Sequence, residues 1–81
     1  MKHWKLVEGA WVRIDGIVVT PTAVNGLLVW LVQFPWAWIE DELVYDLHDA
    51  EDVHKRVDQR FPLPAWMLPP APKAPEMELY R

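Results

Sequence analysis

The sequence predicts a mainly β fold of the α+β kind. It is a small, twisted antiparallel sheet, a meander of three to five strands, followed by one C-terminal helix and an extended Pro-rich arm. Three observations carry this reading. Asp15-Gly16 and Asn25-Gly26 each stand between two apolar runs, the arrangement of a two-residue hairpin turn. The 23 residues from Ile17 to Ile39 contain no charged side chain and are broken by Pro21, Asn25-Gly26 and Pro35. Asp49–Arg60 carries apolar residues at helical spacing and is stopped by Pro62.

In chain order, Trp4–Val7 alternates weakly and reads as a first short strand, with Glu8-Gly9 as a bend or bulge. Ala10–Ile14 is a strand and Ile17–Val24 its return. Pro21 removes a ladder donor, so it needs an edge, a bulge or a bend. Leu27–Phe34 is apolar on both faces, with Leu27, Val29 and Leu31 on one and Leu28, Trp30, Val32 and Phe34 on the other. Such a strand needs cover on both sides, unlike an antiparallel strand with one wet face. After Pro35, an extended Trp36–Ile39 places Trp36 and Trp38 on one side. Leu43, Tyr45 and Leu47 alternate with polar neighbours and suggest a further strand, with a helical turn as the competing reading. Barrel-like closure, with Pro21 and Pro35 at the corners, is the alternative to an open sheet.

Asp49 is the expected N-cap of the helix. Ala50, Val53, Val57 and Phe61 share one face, with His54 beside them. Glu51–Lys55 and Asp52–Arg56 are expected i,i+4 ion pairs. These elements define a domain over residues 1–61. Residues 62–81 differ in kind, since six of the eight prolines lie between Pro62 and Pro75. That density suits polyproline II or extended chain. Trp66, Met67, Leu68 and Tyr80 are residues that a disordered linker normally lacks, so the segment reads as an arm that lies along a surface. Pro72-Lys73-Ala74-Pro75 has the PxxP form but by itself specifies no SH3 ligand; it reads as spacing, with Trp66-Met67-Leu68 as the anchor.

The chain has 81 residues, 52% of them apolar, with six Trp and a net charge of −4. The acidic balance disfavours direct binding to nucleic acid or to an anionic membrane. Pro and Asn-Gly interruptions argue against a membrane span through Ile17–Ile39. Charged residues near the N-terminus leave no apolar core for a signal peptide, so the expected location is the cytoplasm or a particle.

There is no Ser and no Cys, which removes the common nucleophiles, thiolate metal sites and disulfides. Asp46, His48, Asp49, Asp52 and His54 cluster in sequence but match no known ligand spacing. The chain is therefore expected to be non-enzymatic, with no catalytic residues, cofactor or metal. The stretch Glu40–Asp52 holds seven acids and no Lys or Arg. Its ordinary role is a solvated face; its functional alternative is a negative surface, led by Glu40, Asp41, Glu42 and Asp46, that imitates a nucleic-acid backbone.

The surplus of apolar surface sets the functional expectation. One short helix covers one sheet face, and the residues of the other need cover from the arm, a copy of the same chain or another protein. The expected activity is that of a protein–protein interaction module, a structural or accessory subunit of a larger assembly such as a phage virion or similar particle. It would dock through Trp30, Trp36 and Trp38 on the sheet and Trp66, Met67, Leu68 and Tyr80 on the arm. The alternative is a small acidic inhibitor of the phage anti-defence kind, binding a nucleic-acid-handling enzyme.

Overall fold

The computed structural model describes residues 3–64 and residue 66. Five strands and one helix follow in order: β1 (Trp4–Val7), β2 (Ala10–Arg13), β3 (Val18–Val24), β4 (Leu27–Gln33), β5 (Glu42–Val44) and α1 (Ala50–Arg60). The strands lie in the sheet in chain order, each antiparallel to the next. The first and last strands do not pair, so the sheet is an open meander and not the closed barrel-like alternative. The arm beyond Trp66, including Met67, Leu68 and Tyr80, lies outside the described residues.

Two of the three hairpin turns differ from their expected forms. Asn25-Gly26 joins Val24 to its partner Leu27 with φ of 53° and 80°, a two-residue turn with the twist that suits a hairpin. Glu8-Gly9 is not a bend or bulge but a second turn of this kind, with φ of 50° and 83° between the paired Val7 and Ala10. Asp15-Gly16 belongs to a three-residue loop instead of a two-residue one. The Gly16 N–H donates to the Arg13 carbonyl at 2.9 Å, and the Arg13 N–H donates to the Ile17 carbonyl at 2.8 Å. Gly16 alone in this loop has positive φ, at 102°, and a Cβ there would also stand 3.3 Å from the Pro35 ring.

Pro21 pairs with Trp30 inside β3, yet breaks no ladder. β2 pairs β3 only at Val18 and Val19, so β3 is a free edge by Pro21. The two-residue turn makes Val24 and Leu27 a hydrogen-bonded pair, and alternation then turns the Pro21 nitrogen away from β4. Its missing donor faces the open side, where it also discourages another strand from adding.

Helix α1 packs on one face of the sheet. Trp11, Val19 and Val32 align across β2, β3 and β4, and Trp30 aligns with Val44. Val19, Trp30, Val32 and Val44 with Trp4 and Ile17 meet Val53 and Val57 of the helix, and Trp11, Phe34, Trp36, Leu47, Ala50 and Phe61 pack around them. Burying Val53 and Val57 contributes roughly 1.5–3 kcal/mol each. Asp49 holds the N-cap position with an extended backbone, and its carbonyl accepts from the N–H groups of Asp52 and Val53. Its side chain makes no capping hydrogen bond. Glu51–Lys55 forms at 3.9 Å, but Arg56 bypasses Asp52 and grips Asp46 through two hydrogen bonds of 3.1 and 2.8 Å.

Two extended segments are shorter than expected. β5 ends at Val44, after which Tyr45 is exposed and Leu47 joins the core. Trp36–Ile39 is a turn and not an extended piece, with the Ile39 N–H donating to the Trp36 carbonyl at 3.3 Å.

Candidate aromatic docking site

Phe34 leaves the end of β4 on the core-facing side, and Pro35 forces the chain into the turn that carries Trp36 and Trp38. Phe61 closes α1, its N–H donating to the Val57 carbonyl at 2.8 Å. These two chain ends meet. Phe34 lies 4.9 Å from Phe61, Trp36 lies 6.1 Å from Phe61, and Trp36 stacks on Trp38 at 6.1 Å with 27° between the planes. Prolines 62 and 64 then carry the chain to Trp66, and a cleft of about 540 Å³ opens between Trp36, Phe61, Trp66 and these prolines. Arg13, Asp15 and Arg60 complete its lining.

The Arg13–Asp15 pair gives the cleft a rigid polar side. Arg13 is only 2% exposed and donates through Nε and Nη2 to the Asp15 carboxylate at 2.8 and 2.6 Å. Its Nη1 donates to Asp58 of α1 at 3.0 Å, and the same Asp58 oxygen accepts from the Trp4 indole at 3.2 Å. The guanidinium also stands 5.9 Å from the centre of the Trp4 ring. Burial works against the Arg13 charge, but the Asp15 and Asp58 carboxylates override it and raise its pKa. Burial likewise pulls the Asp15 pKa up, and the Arg13 hydrogen bonds and charge more than reverse this and lower it.

The residues nominated from sequence divide sharply. Trp30 is no surface anchor: it is 8% exposed in the core, and its indole N–H donates to the His48 carbonyl at 3.0 Å. Core-facing parity in β4 puts it under the helix. Trp36 is half-buried, while Trp38 and Trp66 are 78% and 79% exposed. Trp36 and Trp66, nominated separately for sheet and arm, line one cleft. Sequence reasoning missed Phe61 and Arg60 as cleft residues, although an aromatic side chain directly before Pro62 was a signal. It also missed Arg13, which shares the core-facing side of β2 with Trp11.

The acidic stretch is partly neutralised. Glu42 accepts from Arg60 at 2.7 Å, and Asp46 is held by Arg56. The hydrogen bonds from Arg56 lower the Asp46 pKa. Glu40 and Asp41 are exposed, with the Gln33 amide 3.5 Å from Asp41. The α1 cations thus lie against the acids that sequence spacing assigned to one negative face.

The sheet face opposite α1 carries Val12, Val18 and Leu31 half-buried and Leu43 38% exposed, with Val29 buried at 2%. Leu31 pairs with Leu43 and Val12 with Val18, so these side chains adjoin across the strands. At the projecting β3–β4 tip, Leu27 and Leu28 are 63% and 64% exposed. On the face that α1 does not cover, Leu43 and Leu27 keep apolar surface exposed, while Val29 is covered and Leu28 falls on the α1 side by strand alternation.

Among the described residues no group of three or more His, Asp or Glu is placed to hold a metal ion. His54 is in the core, stacked on Trp4 at 4.1 Å and edge-on to Trp11 at 5.0 Å. Its burial lowers its pKa to about 4. No described helix is long and apolar enough to cross a membrane. No protein-family model matches the chain, and comparison with curated proteins and with solved structures finds no significant match.

Proposed function

We propose that this chain is a non-enzymatic protein–protein interaction module, a small structural or accessory subunit of a larger assembly. The observation that carries the reading is the aromatic end of the molecule. Trp38 and Trp66 are each more than three-quarters exposed; Trp38 stacks on Trp36, and Trp36 and Phe61 pack together against the core. Indoles displayed from a rigid base are typical interface anchors, because they bury large area on docking at little entropic cost. The apolar sheet face around Leu31 and Leu43 supports the same reading. A virion or similar particle is an assembly in which such a subunit would serve.

The acidic-inhibitor reading is less well supported. Two of its four nominated carboxylates, Glu42 and Asp46, are held by Arg60 and Arg56. A phosphate-like stripe needs those charges facing outward.

Affinity isolation of the tagged full chain from its native host tests the proposal. The expected result is a stoichiometric protein partner that survives high salt and is lost with Trp38→Ser. Recovery of the tagged copy with neither a second protein nor an untagged copy of the chain would count against it. A partner released by moderate salt and indifferent to Trp38→Ser would favour the acidic surface instead.

A further inference from the structure

We infer that the aromatic cleft receives a proline-rich segment in polyproline II form, and that the segment is Pro69–Pro75 of a second copy of this chain. The inference rests on the interaction-module reading and names its partner. Polyproline II ligands dock in grooves walled by aromatic side chains, because a proline ring packs flat on an indole and the stiff helix loses little entropy on binding. The cleft has that chemistry: Trp36, Phe61 and Trp66 supply the aromatic walls in a space of about 540 Å³. The chain carries its own matching ligand in Pro69-Pro70-Ala71-Pro72-Lys73-Ala74-Pro75.

Charge agrees with this pairing. Arg60 lines the cleft with its side chain half exposed, and Glu76 directly follows Pro75, with Glu78 two residues further on. An incoming arm can therefore set a carboxylate near a partly exposed guanidinium. Chain length decides between the arm's own cleft and a neighbour's. Trp66 is itself a cleft wall, and only Met67 and Leu68 separate it from Pro69-Pro70. To fill its own cleft, the arm would have to double back through Met67 and Leu68, which lack the Gly that both two-residue turns of this chain, Glu8-Gly9 and Asn25-Gly26, use. A polyproline II helix rises about 3.1 Å per residue, so a segment of this length in that form spans roughly 20 Å, enough to enter an adjacent copy. Cleft and arm are different surfaces, so the contact is head-to-tail and propagates into a ring or filament.

Analytical ultracentrifugation of the full chain over a concentration series tests this, with a cleft variant, Trp66→Ala, and an arm variant combining Pro69→Gly, Pro70→Gly and Pro72→Gly. Trp66 is 79% exposed, so its removal leaves the core untouched, and thermal melts verify that both variants fold. The expected wild-type mass rises from 9.5 kDa past that of a dimer as concentration increases. Each variant alone is expected to stay at the single-copy mass. Their equimolar mixture is expected to form dimers and nothing larger, since each pair retains one working cleft and one working arm. A wild type of single-copy mass at every concentration overturns the inference, as does a mixture that fails to associate. Self-association that both variants retain also overturns it, but leaves the interaction-module reading standing through another surface.

Discussion

Arg13 donates to Asp58 at 3.0 Å, joining the end of β2 to α1 across 45 positions of sequence. Asp15 holds the same guanidinium from within the β2–β3 loop, so one buried cation ties hairpin and helix together beside the aromatic cleft. The Asp15 side chain is only 6% exposed, and loss of its partner would leave a carboxylate with backbone N–H donors but no countercharge from Arg13. Arg13→Met is therefore expected to destabilise the protein by about 3–5 kcal/mol. Chemical denaturation measures this, and a loss under about 1 kcal/mol would show that the network is incidental.

Acid should weaken the protein in two separable windows. His54 has a folded pKa of about 4 because burial disfavours its charge, whereas an unfolded His titrates near 6.5. Between those values the unfolded chain binds the extra proton, so stability falls as pH drops from 6.5 towards 4 and then levels. Asp15 and Asp46 have lowered pKa values, so their contributions are present above 3.8 and disappear below it as pH falls through their folded values. Melting temperature against pH should show the upper window in wild type and a flatter profile there in His54→Phe. Identical slopes would remove His54 as the cause.

Glu8 stands in the left-handed region at φ 50°, a conformation that Asn tolerates far better. Glu8 is exposed and precedes Gly9 in a two-residue hairpin turn. Glu8→Asn should stabilise the protein by about 0.5–1 kcal/mol. A decrease in melting temperature would contradict this account of the turn.

Trp30 and Trp38 separate packing from display. Trp30→Ala empties a core position and leaves the His48 carbonyl without its indole donor, so a loss of about 3–5 kcal/mol is expected. Trp38→Ser changes a residue 78% exposed and should alter stability by no more than about 0.5 kcal/mol. Equal losses would show that Trp38 belongs to the fold and not to a docking surface.

A meander followed by a helix could be read from local chemistry, because apolar alternation, Asn25-Gly26 and Pro62 act within a few residues, whereas its openness depends on the first and last strands not pairing. Glu8-Gly9 escaped because Glu is a poor occupant of that turn. Asp15-Gly16 misled because the same dipeptide also ends a three-residue loop, and Ile14 decides only through pairing. Arg56 was assigned to Asp52 by spacing, yet Asp46 from the preceding segment reaches it first. Trp30, Trp36 and Trp66 were nominated for one property, their size. Long-range packing then sent the first to the core and brought the other two to one cleft.

The apparent mass of the untagged chain in clarified extract of its native host, at low and at high salt, tests the interaction reading most directly. The account predicts elution with a species well above 9.5 kDa at both salts, because aromatic and apolar contacts are little screened. Elution as a single copy at both salts would contradict it.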